Sequence, residues 1–296
     1  MRICSFLIAW NVIALFGNDA SALESVTLKK IKETGVISIG FRVGSMPLSY
    51  VDNKQRPIGY SIDLCNVVID AVKSKLKLAS LEIKYIPVTS ANRIPLIKNG
   101  IIDLECGSTT NSVERQRSVS FTITTFVASA HLLSKKDLNI QSIDDLKEQS
   151  VVSTAGTTSA ALLAELNQSR GLGINILLTN DHVEAFKMVE TNRAATFIMD
   201  DVILYSLVAN ARNPYDYVIS NEALSNEPYG MIVRKDDPEF KNIADKALIN
   251  LFKTGEINHI YRKWFQSPIA PKQVNLQMPM SDALKDVISH YADSAN

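Results

Sequence analysis

Residues 102–111, IDLECGSTTN, hold an aspartate, a glutamate, a cysteine, a glycine and three small hydroxyls, and SVERQR follows with two arginines. Glycine beside hydroxyls lets backbone N–H groups and Ser/Thr side chains converge on an anion, the more so where a helix begins. Arginine adds a planar fork of donors that matches a carboxylate and stays charged. Other residues of these types fall at the ends of apolar runs elsewhere. Arg42 follows VISIGF, Ser90 and Arg93 follow IKYIPV, Thr158 sits in GTTS, His182 follows INILLTND, and Asp200 closes FIMD. With Ser108, Thr110 and Arg115 from the first stretch they make nine candidates. An aspartate at a strand end can hold an ammonium, because a buried ammonium needs a countercharge. Together the set suits a small molecule with two anionic groups and one cation.

Each residue also has an ordinary reading. STTNSVER can be a helix cap, with Asn111 or Ser112 capping and Glu114 in the first turn. His182 can be an exposed residue at a helix start, and Asp200-Asp201 an acidic corner. Their joint position at strand ends gives the binding reading its weight, since open α/β sheets bind ligands outside the carboxyl ends of their strands. No G-x-S-x-G elbow, P-loop, H-E-x-x-H or GxGxxG is present. The histidines at 131, 182, 259 and 290 show no metal-ligand spacing with the cysteines. Asp103, Glu105, Asp200 and Asp201 could supply paired carboxylates, but no base stands beside a nucleophile. Gripping is therefore expected over reacting, with no catalytic residue, metal or cofactor.

These residues need strands and helices to carry them. VTLKKIKETG reads as an amphipathic helix stopped by Gly35. PLSYVDNKQRPIGY reads as a hairpin turning at 52–55, and SIDLCNVVIDAVKSKL as a helix with Leu64, Val68 and Val72 on one stripe. LEIKYIPV and IIDLECG are strands around a short helix, NRIPLIKNG. The middle of the chain restarts the alternation: ASAHLLSKK, a short capped helix SIDDLKEQ, SVVSTAG, SAALLAELNQS, INILLTN, DHVEAFKMVETNR, FIMDD and VILYSLVANAR. PYGMIVRKDD is then expected as one strand, PEFKNIADKALINLFKTGEINHIYRKWF as a helix pair, and SPIAPKQVN as a proline-punctuated tail. Two α/β units in succession predict two lobes. Residues 23–127 and 228–296 would form a discontinuous lobe, with 128–227 inserted. The crossings would lie near 126–130 and 224–229.

The 296 residues include 31 Lys+Arg against 31 Asp+Glu, which argues against nucleic-acid binding. Apolar residues make up 46% of the chain, ordinary for a soluble globular protein. Arg2, an apolar run over 3–16 and the small-x-small pattern Ala20-Ser21-Ala22 are expected to be a cleavable signal over 1–22. As a helix that run would rise only about 21 Å, too short for a bilayer core of about 30 Å. Cys65 and Cys106 would then reach a compartment that permits disulfides. One bridge and two buried thiols are both compatible with their positions.

NRIPLIKNGIIDLECGSTTNSVERQR, GTTS, NDH, FIMDD, YGMIVRKDDPEF and YRKWF resemble stretches of the periplasmic solute-binding proteins of amino-acid ABC transporters, solute-binding protein family 3. The likeness runs from about residue 28 to about residue 282. It implies a class II periplasmic binding protein fold, two α/β lobes joined by two hinge strands, that closes on L-glutamate or L-aspartate. An inner-membrane ABC permease is the implied partner, and a monomer the expected state. By position, Arg42, Ser90, Arg93 and His182 would hold the side-chain carboxylate, and Thr110, Arg115 and Thr158 the α-carboxylate. Ser108 and Asp200 would hold the ammonium. The alternatives are a dehydratase-like enzyme on this scaffold, using Asp200 or His182 as acid/base, or a receptor for another polar amino acid such as glutamine.

Overall fold

The computed structural model describes residues 25–293, so the expected signal segment lies outside the described residues. Two five-stranded mixed sheets organise the chain. In the first, Glu82–Pro87, Val36–Phe41 and Leu104–Cys106 run parallel, followed by Ile232–Val233, antiparallel to its neighbours, and then Ser120–Phe121. In the second, Asn175–Thr179, Ser150–Thr154 and Thr196–Asp200 run parallel, and Ala130–Lys135 and Tyr217–Ile219 follow antiparallel. Both parallel triplets therefore place their earliest strand in the middle. A crevice opens at the carboxyl end of such a triplet, where the connections on either side leave in opposite directions.

Burial follows the patterning. Val36–Phe41, the middle strand of its triplet, is buried at all but its first residue, while its neighbour Glu82–Pro87 lies at the sheet edge and is largely exposed. Helix Tyr60–Lys75 turns Leu64, Val68 and Val72 inward. Cys65 and Cys106 are bonded to each other, which ties this helix to the strand Leu104–Cys106 and settles the two open thiol readings in favour of a bridge.

The sheets are connected by Phe126–Ala128 and Glu227–Tyr229, which pair antiparallel with Val127 opposite Pro228. The single strand expected over PYGMIVRKDD is split. Glu227–Tyr229 belongs to this connecting pair and Ile232–Val233 to the first sheet. Gly230 makes the break, its N–H donating to the Thr109 carbonyl at 3.1 Å. SIDDLKEQ forms only a 3₁₀ turn, Ile143–Leu146, whose capping box joins Ser142 and Asp145. Beyond the proline-punctuated tail, Asp282–Asp293 forms a helix that the sequence reading did not anticipate. It packs on helix Pro238–Lys253 and buries Leu284.

Candidate functional site

The nine residues arrive from both lobes by simple means. Arg42 follows the middle strand of the first sheet's parallel triplet, and Arg93 opens the short helix Arg93–Lys98. Arg115 sits in the turn Val113–Gln116, capped by the Ser112 hydroxyl. In the second lobe, Thr158 is the first residue of a helix capped by Thr157, and His182 the first of a helix capped by Asp181. Asp200 ends its strand and precedes helix Asp201–Ala209. The capping reading of STTNSVER holds at Ser112, whose hydroxyl accepts from the Arg115 N–H. Asp181 takes the cap, so His182 is free to turn inward and is 1% exposed.

Eight of the nine line one hollow between the lobes: Ser90, Arg93, Ser108, Thr110, Arg115, Thr158, His182 and Asp200, joined by Thr157 and Met199. The side chains nearly fill it, leaving a cavity of about 10 Å³, far below the roughly 300–1,000 Å³ of sites for drug-sized ligands. Arg42 is not among its lining residues. It borders an adjoining hollow that it shares with His182, and its side chain is nonetheless 3% exposed. Gly107 makes room there, because a Cβ at that position would stand 2.9 Å from Arg42 Cγ and 2.1 Å from Glu105 Oε1.

The hydrogen bonds pin the donors and leave some of them over. Arg93 Nη1 donates to the Ser108 carbonyl at 3.1 Å, and Arg115 Nη1 to the Thr110 carbonyl at 2.9 Å. Arg115 also crosses between lobes, its Nη2 donating to the Gly156 carbonyl at 3.1 Å. The Thr110 and Thr158 hydroxyls meet at 3.3 Å, a second crossing. Thr158 in turn donates to Glu227 at 2.8 Å. Asp200 accepts from Ser159 at 3.1 Å and from the Tyr229 hydroxyl. Among the described residues, seven buried side-chain N or O atoms have no hydrogen-bond partner within the chain. Four of them are Arg42 Nη1, Ser90 Oγ, Arg93 Nε and His182 Nε2. Buried polar groups are normally paired, so such a cluster points to a ligand that pairs them.

Charge tells the same story. Burial, then the neighbouring Arg93, lowers the Arg42 guanidinium to about 9, and burial, again with Arg93, lowers Arg115 to about 10. Burial also lowers Arg93. His182 is held well below its usual value by burial and by Arg42 and Arg93, so it is neutral near pH 7. Its Nδ1 lies 2.8 Å from the Thr154 hydroxyl. Asp200 is pushed up to about 7, first by burial and then by Glu227. Arg42 and Arg115 remain well above pH 7 and Asp200 is shifted toward its protonated form, so the site favours an incoming anion.

Glu105, Glu227 and Tyr229 were not among the nine. Glu105 is fully buried and accepts from Thr109 at 2.7 Å, so it steadies the loop rather than acting as half of a carboxylate pair. Asp103 lies away from the site, accepting from the Ser38 N–H and from Lys30. Glu227 and Tyr229 sit two apart on the connecting strand, on one face, and both reach site residues of the second lobe. The period-2 spacing in EPY was the available signal, but nothing local marks that strand as a wall of the site.

Residues 37–267 match the model of the bacterial extracellular solute-binding proteins, family 3. The chain is 46% identical, over 100% of its own length and 99% of the relative's, to the L-glutamate/L-aspartate-binding protein of Pseudomonas aeruginosa. It is 42% identical to the glutamate/aspartate import solute-binding protein of Escherichia coli K12, covering 94% of this chain and 92% of that one. Among solved structures, an ancestral arginine-binding protein bound to arginine superposes with a TM-score of 0.71 at 26% identity, covering 78% of this chain and 98% of the other. These relatives are named as binding proteins, and the solved one shares the two-lobed fold. The chain belongs to the bacterial extracellular solute-binding proteins of family 3.

Proposed function

We propose that this chain captures L-glutamate or L-aspartate between its lobes and delivers it to an ABC permease of the inner membrane, acting in the periplasm after removal of residues 1–22. The observation that carries the ligand reading is the cluster of unpartnered buried donors. Arg42 Nη1, Ser90 Oγ, Arg93 Nε and His182 Nε2 belong to the four residues assigned to a side-chain carboxylate. In this reading Arg115, Thr110 and Thr158 hold the α-carboxylate, and Ser108 and Asp200 the ammonium. A neutral side chain such as that of glutamine would leave the buried Arg42 and Arg93 short of countercharge beyond the neighbouring Glu105, and a missing partner of a buried pair costs about 3–5 kcal/mol. Closure is favoured only as far as the ligand binds the closed form better than the open one. No covalent step is involved.

The test is a thermal-shift screen of the twenty amino acids followed by calorimetry, since a ligand that binds only the folded state raises the melting temperature. L-Glutamate and L-aspartate are expected to give the largest shifts. A larger shift with glutamine or with a basic amino acid would overturn the reading.

A further inference from the structure

We infer that Gly156 sets how far the two lobes can close, and so acts as a positioning residue for ligand capture; the inference rests on the ligand reading above. Gly156 follows the strand Ser150–Thr154 of the second lobe, and Ser90-Ala91 follow the strand Glu82–Pro87 of the first. A Cβ at 156 would stand 2.7 Å from Ala91 Cα, 2.8 Å from the Ala91 nitrogen and 2.9 Å from the Ser90 carbonyl carbon. All three are backbone atoms, so no side chain can swing aside to relieve the contact. Among the described residues, the one other glycine contact between the lobes is softer: a Cβ at Gly44 would meet Val183 Cγ2 at 3.4 Å, an ordinary van der Waals distance.

The contact lies at the edge of the hollow. The Gly156 carbonyl accepts from Arg115 across the lobes at 3.1 Å, and Thr158, two residues on, meets Thr110 at 3.3 Å. Ser90, on the opposing backbone, carries one of the unpartnered hydroxyls. A side chain at 156 would wedge the backbones apart here and separate Thr158, His182 and Asp200 from Arg93, Ser108 and Thr110. The ligand could then bond one lobe or the other but not both. The fraction of molecules able to bind fully would fall, and apparent affinity with it.

Backbone strain must be separated from the wedge, because Gly156 has φ +77°. Asparagine tolerates left-handed backbone better than most residues. Gly171, in the same lobe, has φ +60° and nothing within 4 Å of a built Cβ, so Gly171→Asn carries comparable strain without the wedge. The experiment compares the parent, Gly156→Asn and Gly171→Asn as full chains. Glutamate affinity is measured by calorimetry, melting without ligand, and radius of gyration by small-angle scattering with and without saturating ligand. Gly171→Asn should bind and contract like the parent. Gly156→Asn should bind at least about 100-fold more weakly and contract less, while the two variants melt within about 4 °C of each other. Equal affinities and equal contraction overturn the inference. So does a Gly156→Asn that fails to fold where Gly171→Asn folds, because the wedge acts only between lobes. If the parent binds neither acidic amino acid, the ligand reading fails. The comparison then uses whichever of the twenty contracts the parent, and a parent that none contracts overturns the inference as well.

Discussion

Asp200 is held by two donors, the Tyr229 hydroxyl and Ser159, yet burial and Glu227 push its carboxyl up to about 7. Between the ordinary value of 3.8 and about 7 the folded chain keeps a proton that the unfolded chain has lost. Asp200 therefore makes the unliganded fold lose stability as pH rises through that window. His182 acts in the opposite sense. Its folded value lies well below 6.5, so its contribution is lost as pH falls below 6.5. The stability of the parent relative to Asp200→Asn, from urea denaturation, should accordingly decline from acid to neutral pH. With an ammonium beside it Asp200 prefers the carboxylate, so glutamate binding should release a proton below about 7, and affinity should rise with pH up to there. Calorimetry in buffers of different ionisation enthalpy reads that proton directly. Tyr229→Phe removes a hydrogen bond that lowers the Asp200 value, so the same profile should move to higher pH. Arg93→Ala should weaken glutamate binding by about 100-fold or more, as truncating a buried charge partner costs about 2–5 kcal/mol. Its melting temperature should change little, because the lost bond to the Ser108 carbonyl is offset by removing a charge that burial disfavours and that repels Arg42. At this scale the eight residues of telling type around one hollow were legible from their positions at strand ends, while Arg42 borders the adjoining one. Tyr229 was not legible, because its role depends on a crossing strand that brings it to Asp200 from 29 positions away.

The elements were legible where one face is buried. The stripe of Leu64, Val68 and Val72 fixed its helix, and the αL glycine at 35 fixed the end of Val26–Thr34. PYGMIVRKDD misled because both of its strands are β-rich, and only the tertiary pairing of Gly230 with Thr109 divides them. The helix Asp282–Asp293 escaped notice because its packing partner, Pro238–Lys253, lies far back in the sequence. The cysteines illustrate the limit: their types and burial were readable, their pairing was not. That bridge spans 41 positions, and closing such a loop stabilises a fold by about 4 kcal/mol in the chain-entropy account. Cys65→Ser with Cys106→Ser should therefore lower the urea-denaturation free energy by about 2–4 kcal/mol. Because Cys106 stands two residues before Ser108, glutamate affinity should be read in the same protein. A double variant as stable as the parent would show that the bridge adds no stability.

As a whole, the molecule alternates strand and helix through two lobes, and that alternation was plain in the sequence. The enclosure of eight polar residues in one hollow was not, because it depends on how the second lobe sits against the first. The lobes touch through Arg115 and Gly156, through Thr110 and Thr158, and on another side through Asn210, which donates to the Met46 sulfur at 3.3 Å and accepts from Lys272 at 2.8 Å. Ligand-driven contraction should appear in small-angle scattering as a smaller radius of gyration with saturating glutamate than without it, and an unchanged radius would mean that binding does not move the lobes. The chain passes into the second lobe at Phe126–Ala128 and returns at Glu227–Tyr229, side by side, while its described ends both lie with the first sheet. A tether pulled at those ends would load the first sheet and leave the inserted lobe slack until that sheet tears. In an optical trap the first lobe should rupture first, and the second should survive as a separate, shorter extension step.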